Sequence, residues 1–198
     1  MKKATEIKIP VEVSARHAHL SRSAIDVLFG KGHQLKKLNG LSQQGEFAAE
    51  EKVILANQGK RLEARVLGPE RKEAQVEISL TDAKKLGVKA PLRLSGDLAG
   101  SAGIEILGPR GKVRLEQGLI IAKRHLHASD SEAKELGVKN GDVVSIRISG
   151  ERALVFENVA VRAGRGNRLA LHIDTDEGNA AGAGKDARGE LILQISKR

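Results

Sequence analysis

Twice in this chain an apolar run meets an arginine and then two histidines spaced one residue apart. Ile7-Lys8-Ile9-Pro10-Val11-Glu12-Val13 leads to Arg16-His17-Ala18-His19, and Ile120-Ile121-Ala122-Lys123 leads to Arg124-His125-Leu126-His127. The runs read as strands, and in a strand residues i and i+2 share a face roughly 6.5 Å apart. Each pair can therefore aim two imidazoles at one point, as a metal site requires. The chain has six histidines in 198 residues; scattered at random they would form only about 0.2 such pairs. A second echo, Lys85-Leu86-Gly87-Val88 and Glu135-Leu136-Gly137-Val138, supports two related halves. Two copies are too few for a solenoid.

Between these marks the pattern is one of short strands, glycine turns and short capped helices. Ile7 to Val13 predicts a strand, and Ser21 caps a helix running to about Leu28 before Gly30. The basic stretch 35–41 has no clear period. Lys52 to Leu55 and Arg61 to Leu67 form a hairpin around Asn57-Gln58-Gly59-Lys60, and Gly68-Pro69-Glu70-Arg71 reads as a further turn. In 73–79, Ala74, Val76 and Ile78 alternate with Glu73, Gln75 and Glu77. Ser79 or Thr81 caps a one-turn helix ending near Gly87. Strands follow over 91–94, 104–107 and 112–115. Ser129-Asp130-Ser131-Glu132 is a capping box for a helix ending at Gly137. Strands at 143–148, 153–155, 159–161 and 168–173, a helix from Thr175, and a closing strand at 191–195 complete the chain. Short strands at this spacing fold as barrels or sandwiches.

Composition narrows the chemistry. There is no cysteine, so a transition-metal site must use His, Asp or Glu, and no disulfide is available. That absence points to the cytoplasm. No apolar run approaches the roughly 18 residues of a membrane span, and residues 1–6 do not begin a secretory signal. The net charge is +9, and Phe29, Phe47 and Phe156 are the only aromatic rings besides histidine. Bases would have little to stack on, so a polyanionic small molecule accounts for the charge better than nucleic acid.

A metal on either pair needs a third ligand, and three protein ligands would leave a coordination position open for chemistry. His172 shares a strand face with Asp174 and can join His125 and His127. For His17 and His19, the residues Glu46, Glu50, Glu51, Glu73 and Glu77 compete, and periodicity does not choose among them. Arg16 and Arg124 either add positive charge to a site or brace a barrel end. His33, in a glycine-rich turn, reads as a surface residue. Gly182-Ala183-Gly184-Lys185 is not a phosphate-binding loop, because Asp186 stands where Ser or Thr is needed.

Several segments carry a family resemblance. Val13-Ser14-Ala15-Arg16-His17-Ala18-His19-Leu20-Ser21, Leu41-Ser42-Gln43-Gln44-Gly45-Glu46-Phe47-Ala48, Gly68-Pro69-Glu70-Arg71, Gln75-Val76-Glu77-Ile78-Ser79, Lys123-Arg124-His125-Leu126-His127 and Leu171-His172-Ile173-Asp174-Thr175-Asp176-Glu177 together resemble the PduL-type phosphate acyltransferases, in family order. The resemblance implies a mainly β fold of two β-barrel domains capped by short α-helices, with the active site at their interface. The first barrel would take 6–15 plus 123–196, the second 16–122. It implies a two-metal enzyme, using zinc, that interconverts short-chain acyl-CoA plus phosphate with acyl phosphate plus CoA.

The resemblance also selects ligands. One metal would take His17, His19 and Glu77, the other His125, His127 and His172. Arg71 would hold phosphate with Ser95 nearby, and Ser14, Arg65, Leu67 and Asn179 fall where the family contacts CoA. Self-association is expected by the same route, with neither nucleic acid nor membrane as a partner. Many members have Pro-Gly-Gln where this chain has Gln44-Gly45-Glu46. Only about six residues precede the first strand, so packaging in a microcompartment through an N-terminal extension is not expected. A metal-dependent hydrolase using the same ligands, and a basic nucleic-acid-binding barrel with structural histidines, are the competing readings.

Overall fold

The computed structural model describes residues 7–192; the reading of 1–6 and the end of the expected closing strand lie outside them. In chain order the elements are β1 (Ile9–Ser14), β2 (His17–Ser21), α1 (Arg22–Phe29), β3 (Lys37–Gly40), β4 (Phe47–Asn57), β5 (Lys60–Arg71), β6 (Gln75–Ile78), α2 (Leu80–Leu86), β7 (Leu92–Arg93), β8 (Ala102–Leu107) and β9 (Lys112–Ala122). There follow β10 (His125–Ala128), α3 (Asp130–Leu136), β11 (Val143–Ile148), β12 (Leu154–Ala163), β13 (Ala170–Asp174), α4 (Thr175–Ala181) and β14 (Arg188–Ile192). The chain divides into two compact units, one of residues 1–14 with 123–198 and one of 15–122.

Each unit is a closed six-stranded barrel. In the central unit the ring runs β4-β5-β2-β6-β9-β8 and back to β4, with β3 and β7 attached at its margins. In the other it runs β11-β12-β10-β13-β1-β14 and back to β11. The two rings match strand for strand. Each histidine-pair strand, β2 or β10, runs parallel to one neighbour and antiparallel to the other. That second neighbour, β6 or β13, in turn runs parallel to β9 or β1. The chain is thus a tandem repeat of strand, histidine strand, helix, hairpin, short strand, helix, strand. In each repeat the leading strand closes the barrel of the other: β1 precedes β2 but belongs with β10, and β9 precedes β10 but belongs with β2.

Closure leaves these strands no free edge, which suits a chain so poor in aromatics. The cores are aliphatic. Leu20, Ile25, Leu55, Val66, Val76 and Ile104 are among those filling the central unit, and Ile9, Leu126, Ile146, Val159 and Leu171 pack with Phe156 in the other. Each fully buried Leu, Ile or Val contributes about 1.5–3 kcal/mol.

The helices are short because both ends are specified. Ser21, Ser79, Ser129 and Asp174 accept from backbone amides of the first turn, and Gly30, Gly87, Gly137 and Gly182 end them. Ser79, not Thr81, is the cap of α2.

Some expected boundaries shift. Gly68-Pro69-Glu70-Arg71 is not a turn but the end of β5, which continues beside β2 across an irregularity until Arg71 opposes Ser21. Gly68 makes this passage possible: a Cβ there would lie 2.2 Å from the Phe47 ring. The expected strands at 153–155 and 159–161 are one strand, β12, bent at Asn158 with φ +56°. The unassigned stretch 35–41 contributes β3, an exposed strand paired to β4.

Candidate metal centres

In both units strand parity separates core from site. On β2, Ala18 and Leu20 enter the core, so His17 and His19 face the outside of the barrel. The same alternation turns His125 and His127 outward on β10, Gln75 and Glu77 on β6, His172 on β13, and Arg65 and Leu67 on β5. Three of the outward imidazoles are nevertheless buried, His17 and His125 being 7% exposed and His19 3%, while His127 and His172 are half-buried.

In the central unit, His17 stands opposite Glu77 in the antiparallel register, and their Nε2 and Oε2 atoms are 3.6 Å apart. The His17 and His19 rings meet edge to face with centroids 5.0 Å apart. The His17 Nδ1 bonds the Ala15 carbonyl at 2.8 Å, which turns Nε2 toward Glu77. Burial, then the charges of His17 and Arg71, hold the His19 imidazole down to about 3, so it is neutral at ordinary pH.

The other unit repeats the plan. His125 opposes His172 across the strands. The three rings of His125, His127 and His172 lie with centroids 4.7–5.1 Å apart, and the Nε2 atoms of His125 and His127 approach to 3.1 Å. The His125 Nδ1 is anchored on the Lys123 carbonyl at 2.9 Å, as His17 is on Ala15. Burial, then the charges of His125 and His172, hold His127 down to about 3. In each cluster the ligand atoms all fall within 4.8 Å of one another.

These donor sets fit a divalent cation. Neutral imidazole and carboxylate suit zinc and its neighbours. His19 hydrogen-bonds the Leu67 backbone and His127 the Asn167 side chain, contacts of the kind that orient a ligating imidazole.

Around the central cluster lies a polar network. Arg71 extends its guanidinium to Ser95 Oγ at 3.2 Å and to Glu46 Oε1 at 3.2 Å. It lines an open cleft with Arg22 and Lys72, where Arg22 is already paired to Asp26 and Glu70. Arg65 opposes His17 and gives its Nη1 to the Ala49 carbonyl at 2.8 Å, while Leu67 opposes His19. In the other unit Ser14 ends β1 opposite Asp174, the cap of α4, which carries Asn179. Gly178 admits this helix against β1, since a Cβ there would lie 2.8 Å from Val13.

Arg16 and Arg124 brace their barrels. Arg16 bonds both carboxylate oxygens of buried Asp82, on the first turn of α2, and the Glu63 carbonyl. Arg124 pairs with Glu177, on the first turn of α4, at 2.7 Å and bonds the Glu157 carbonyl. His33 is not simply a surface residue: it stacks on Phe29 and pairs with Glu51 at 2.7 Å. The sequence reading missed Glu12, whose Oε2 lies 3.1 Å from His172 Nε2. It sits on β1 opposite His172, and its strand parity was the available signal. It also gave no role to Gln75, opposite His19.

Two topologically identical barrels, each with a ligand triad at the same register, define a protein with two matched candidate metal centres. The family model for phosphate propanoyltransferase matches residues 10–184. The chain is 50% identical over 181 residues to the phosphate propanoyltransferase of Lachnoclostridium phytofermentans, covering 89% of this chain and 84% of that one. It is 50% identical to the Thermotoga maritima protein of that name, covering 87% and 83%. To that of Listeria monocytogenes it is 42% identical, covering 98% and 91%. The chain belongs to the phosphate propanoyltransferase family and is an acyltransferase. Among the described residues no helix is long and apolar enough to cross a membrane.

Proposed function

We propose that this chain moves a short acyl group between the sulfur of CoA and an oxygen of inorganic phosphate, with a zinc ion held by His17, His19 and Glu77 and another by His125, His127 and His172. The observation that carries this reading is the doubled triad, beside which Arg71 offers a guanidinium fork in a cleft. Bound there, such an ion supplies Lewis acidity to a carbonyl or charge for an anionic oxygen. In the forward direction a phosphate oxygen attacks the thioester carbonyl, the C–O bond forms, the C–S bond breaks, and the phosphate proton leaves with the CoA thiol. Arg71 binds two phosphate oxygens through its planar fork, with the Ser95 hydroxyl beside it. Arg65, its guanidinium plane fixed by β4 carbonyls, and Leu67 serve the CoA moiety, as do Ser14 and Asn179 in the other unit. The neutral state of His19 and His127 keeps their lone pairs available as ligands.

The test is release of free CoA thiol from acetyl-CoA and propanoyl-CoA, with and without phosphate, before and after chelation. Release that needs phosphate and stops on chelation is expected. Release without phosphate would make the chain a hydrolase, and chelator-resistant release would remove metal from the reading.

A further inference from the structure

Gln75 is almost wholly inside the protein, 2% exposed, on the outward face of a strand whose alternate residues already fill the core. A buried primary amide brings two donors and an acceptor that must be satisfied. Here they are spent on the candidate site. The Nε2 donates to Glu77 Oε1 and to Ser95 Oγ at 2.9 Å, and Oε1 accepts from the Gly96 amide at 2.8 Å. The same Ser95 hydroxyl receives the Arg71 guanidinium at 3.2 Å. One side chain thus touches the carboxylate of a metal triad, the loop at 95–96 and, through one hydroxyl, the anion-binding arginine.

The barrel itself does not require this amide. In the matching ring the position opposite the second histidine of the pair, His127, is Ala170. There the triad is completed by His172, whose ring orientation two torsions define. In the central unit it is completed by a carboxylate, which has one more torsion and two equivalent oxygens. Gln75 occupies one of them, Oε1, while the other, Oε2, is the oxygen near His17.

We infer that Gln75 is a positioning residue: it fixes which oxygen of Glu77 faces the metal and locks Ser95 and Arg71 at a set place beside it, so that metal affinity and phosphate affinity in this unit are coupled through one amide. The inference rests on the two-metal reading above.

The test compares Gln75→Ala and Gln75→Met with the parent protein by thermal unfolding, by zinc affinity in competition with a chromophoric chelator, and by kcat and KM for phosphate and for acyl-CoA separately. In a folded variant, one of the two zinc sites is expected to weaken by roughly 10–100-fold, the usual cost of losing a group that orients a ligand. The KM for phosphate is expected to rise several-fold more than that for acyl-CoA. Folded variants with both zinc affinities and the phosphate KM unchanged would overturn the inference. Failure of both variants to fold would overturn it too, by making Gln75 a structural residue. A parent protein that binds no zinc would overturn the two-metal reading and the inference with it, whereas two parental sites unmoved by substitution would sink the inference alone.

Discussion

A histidine on a strand chooses between core and site by parity. Ala18 and Leu126, between the members of each pair, are fully buried in the cores, so the imidazoles face outward and are covered there instead. Covered imidazoles resist protonation. An unfolded imidazole binds a proton near 6.5, whereas folded His19 and His127 do so only near 3. Between those values the unfolded chain binds more protons, so stability falls as pH drops from 6.5 toward 3 and this contribution is level above 6.5. Metal-free protein should therefore melt at a clearly lower temperature at pH 4.5 than at pH 7.5, and His19→Asn should flatten that dependence; an equal slope in the variant would assign the effect elsewhere. Arg71→Lys loses the planar fork but keeps the charge, so the KM for phosphate should rise about tenfold or more while zinc content stays at the parental value. Atomic absorption and steady-state kinetics on the same preparation check both halves of that statement.

At the scale of elements, capping signals were the most legible part of the sequence. Ser129 and Glu132 form the capping box their spacing announced, because capping depends only on residues within one turn. Ser129→Ala should cost about 1 kcal/mol, read as a lower urea midpoint with unchanged slope. The histidine pairs and the bounds of α1 were legible for the same local reason. By periodicity alone Glu77 was one of five competing carboxylates, and only the family resemblance singled it out; the reason it can reach is the register of β2 against β6, which places it opposite His17. Glu12 and Gln75 stayed hidden because their partners lie on strands far off in sequence or in a loop, and alternation names a face but not a neighbour. β5 ran past Pro69 against its local turn signal because pairing with β2 and the Phe47 ring over Gly68 outweighed it.

At the scale of the whole molecule, the repeat is tandem in sequence but crossed in space, each leading strand closing the barrel that the other repeat supplies. Removing residues 1–14 should therefore spare the histidine pair that follows directly and open the barrel around the distant one. Loss of β1 strips both β13 and β14 of a partner. On the proposed two-zinc reading, binding should drop from two ions toward one, and the one that remains should be the one abolished by His17→Ala; retention of both ions would show that β1 is dispensable. The same crossing sets a timetable for synthesis. β1 is made before either of its partner strands and must wait until Ala170–Asp174 and Arg188–Ile192 have been made before it can pair. The central barrel can close once Ala122 has emerged, well before the chain is finished. A nascent chain stalled soon after Ala122 has emerged should hold one protease-resistant barrel with the unpaired apolar strand β1 ahead of it. That makes β1, rather than any part of the catalytic surface, the segment on which a chaperone would have most to act.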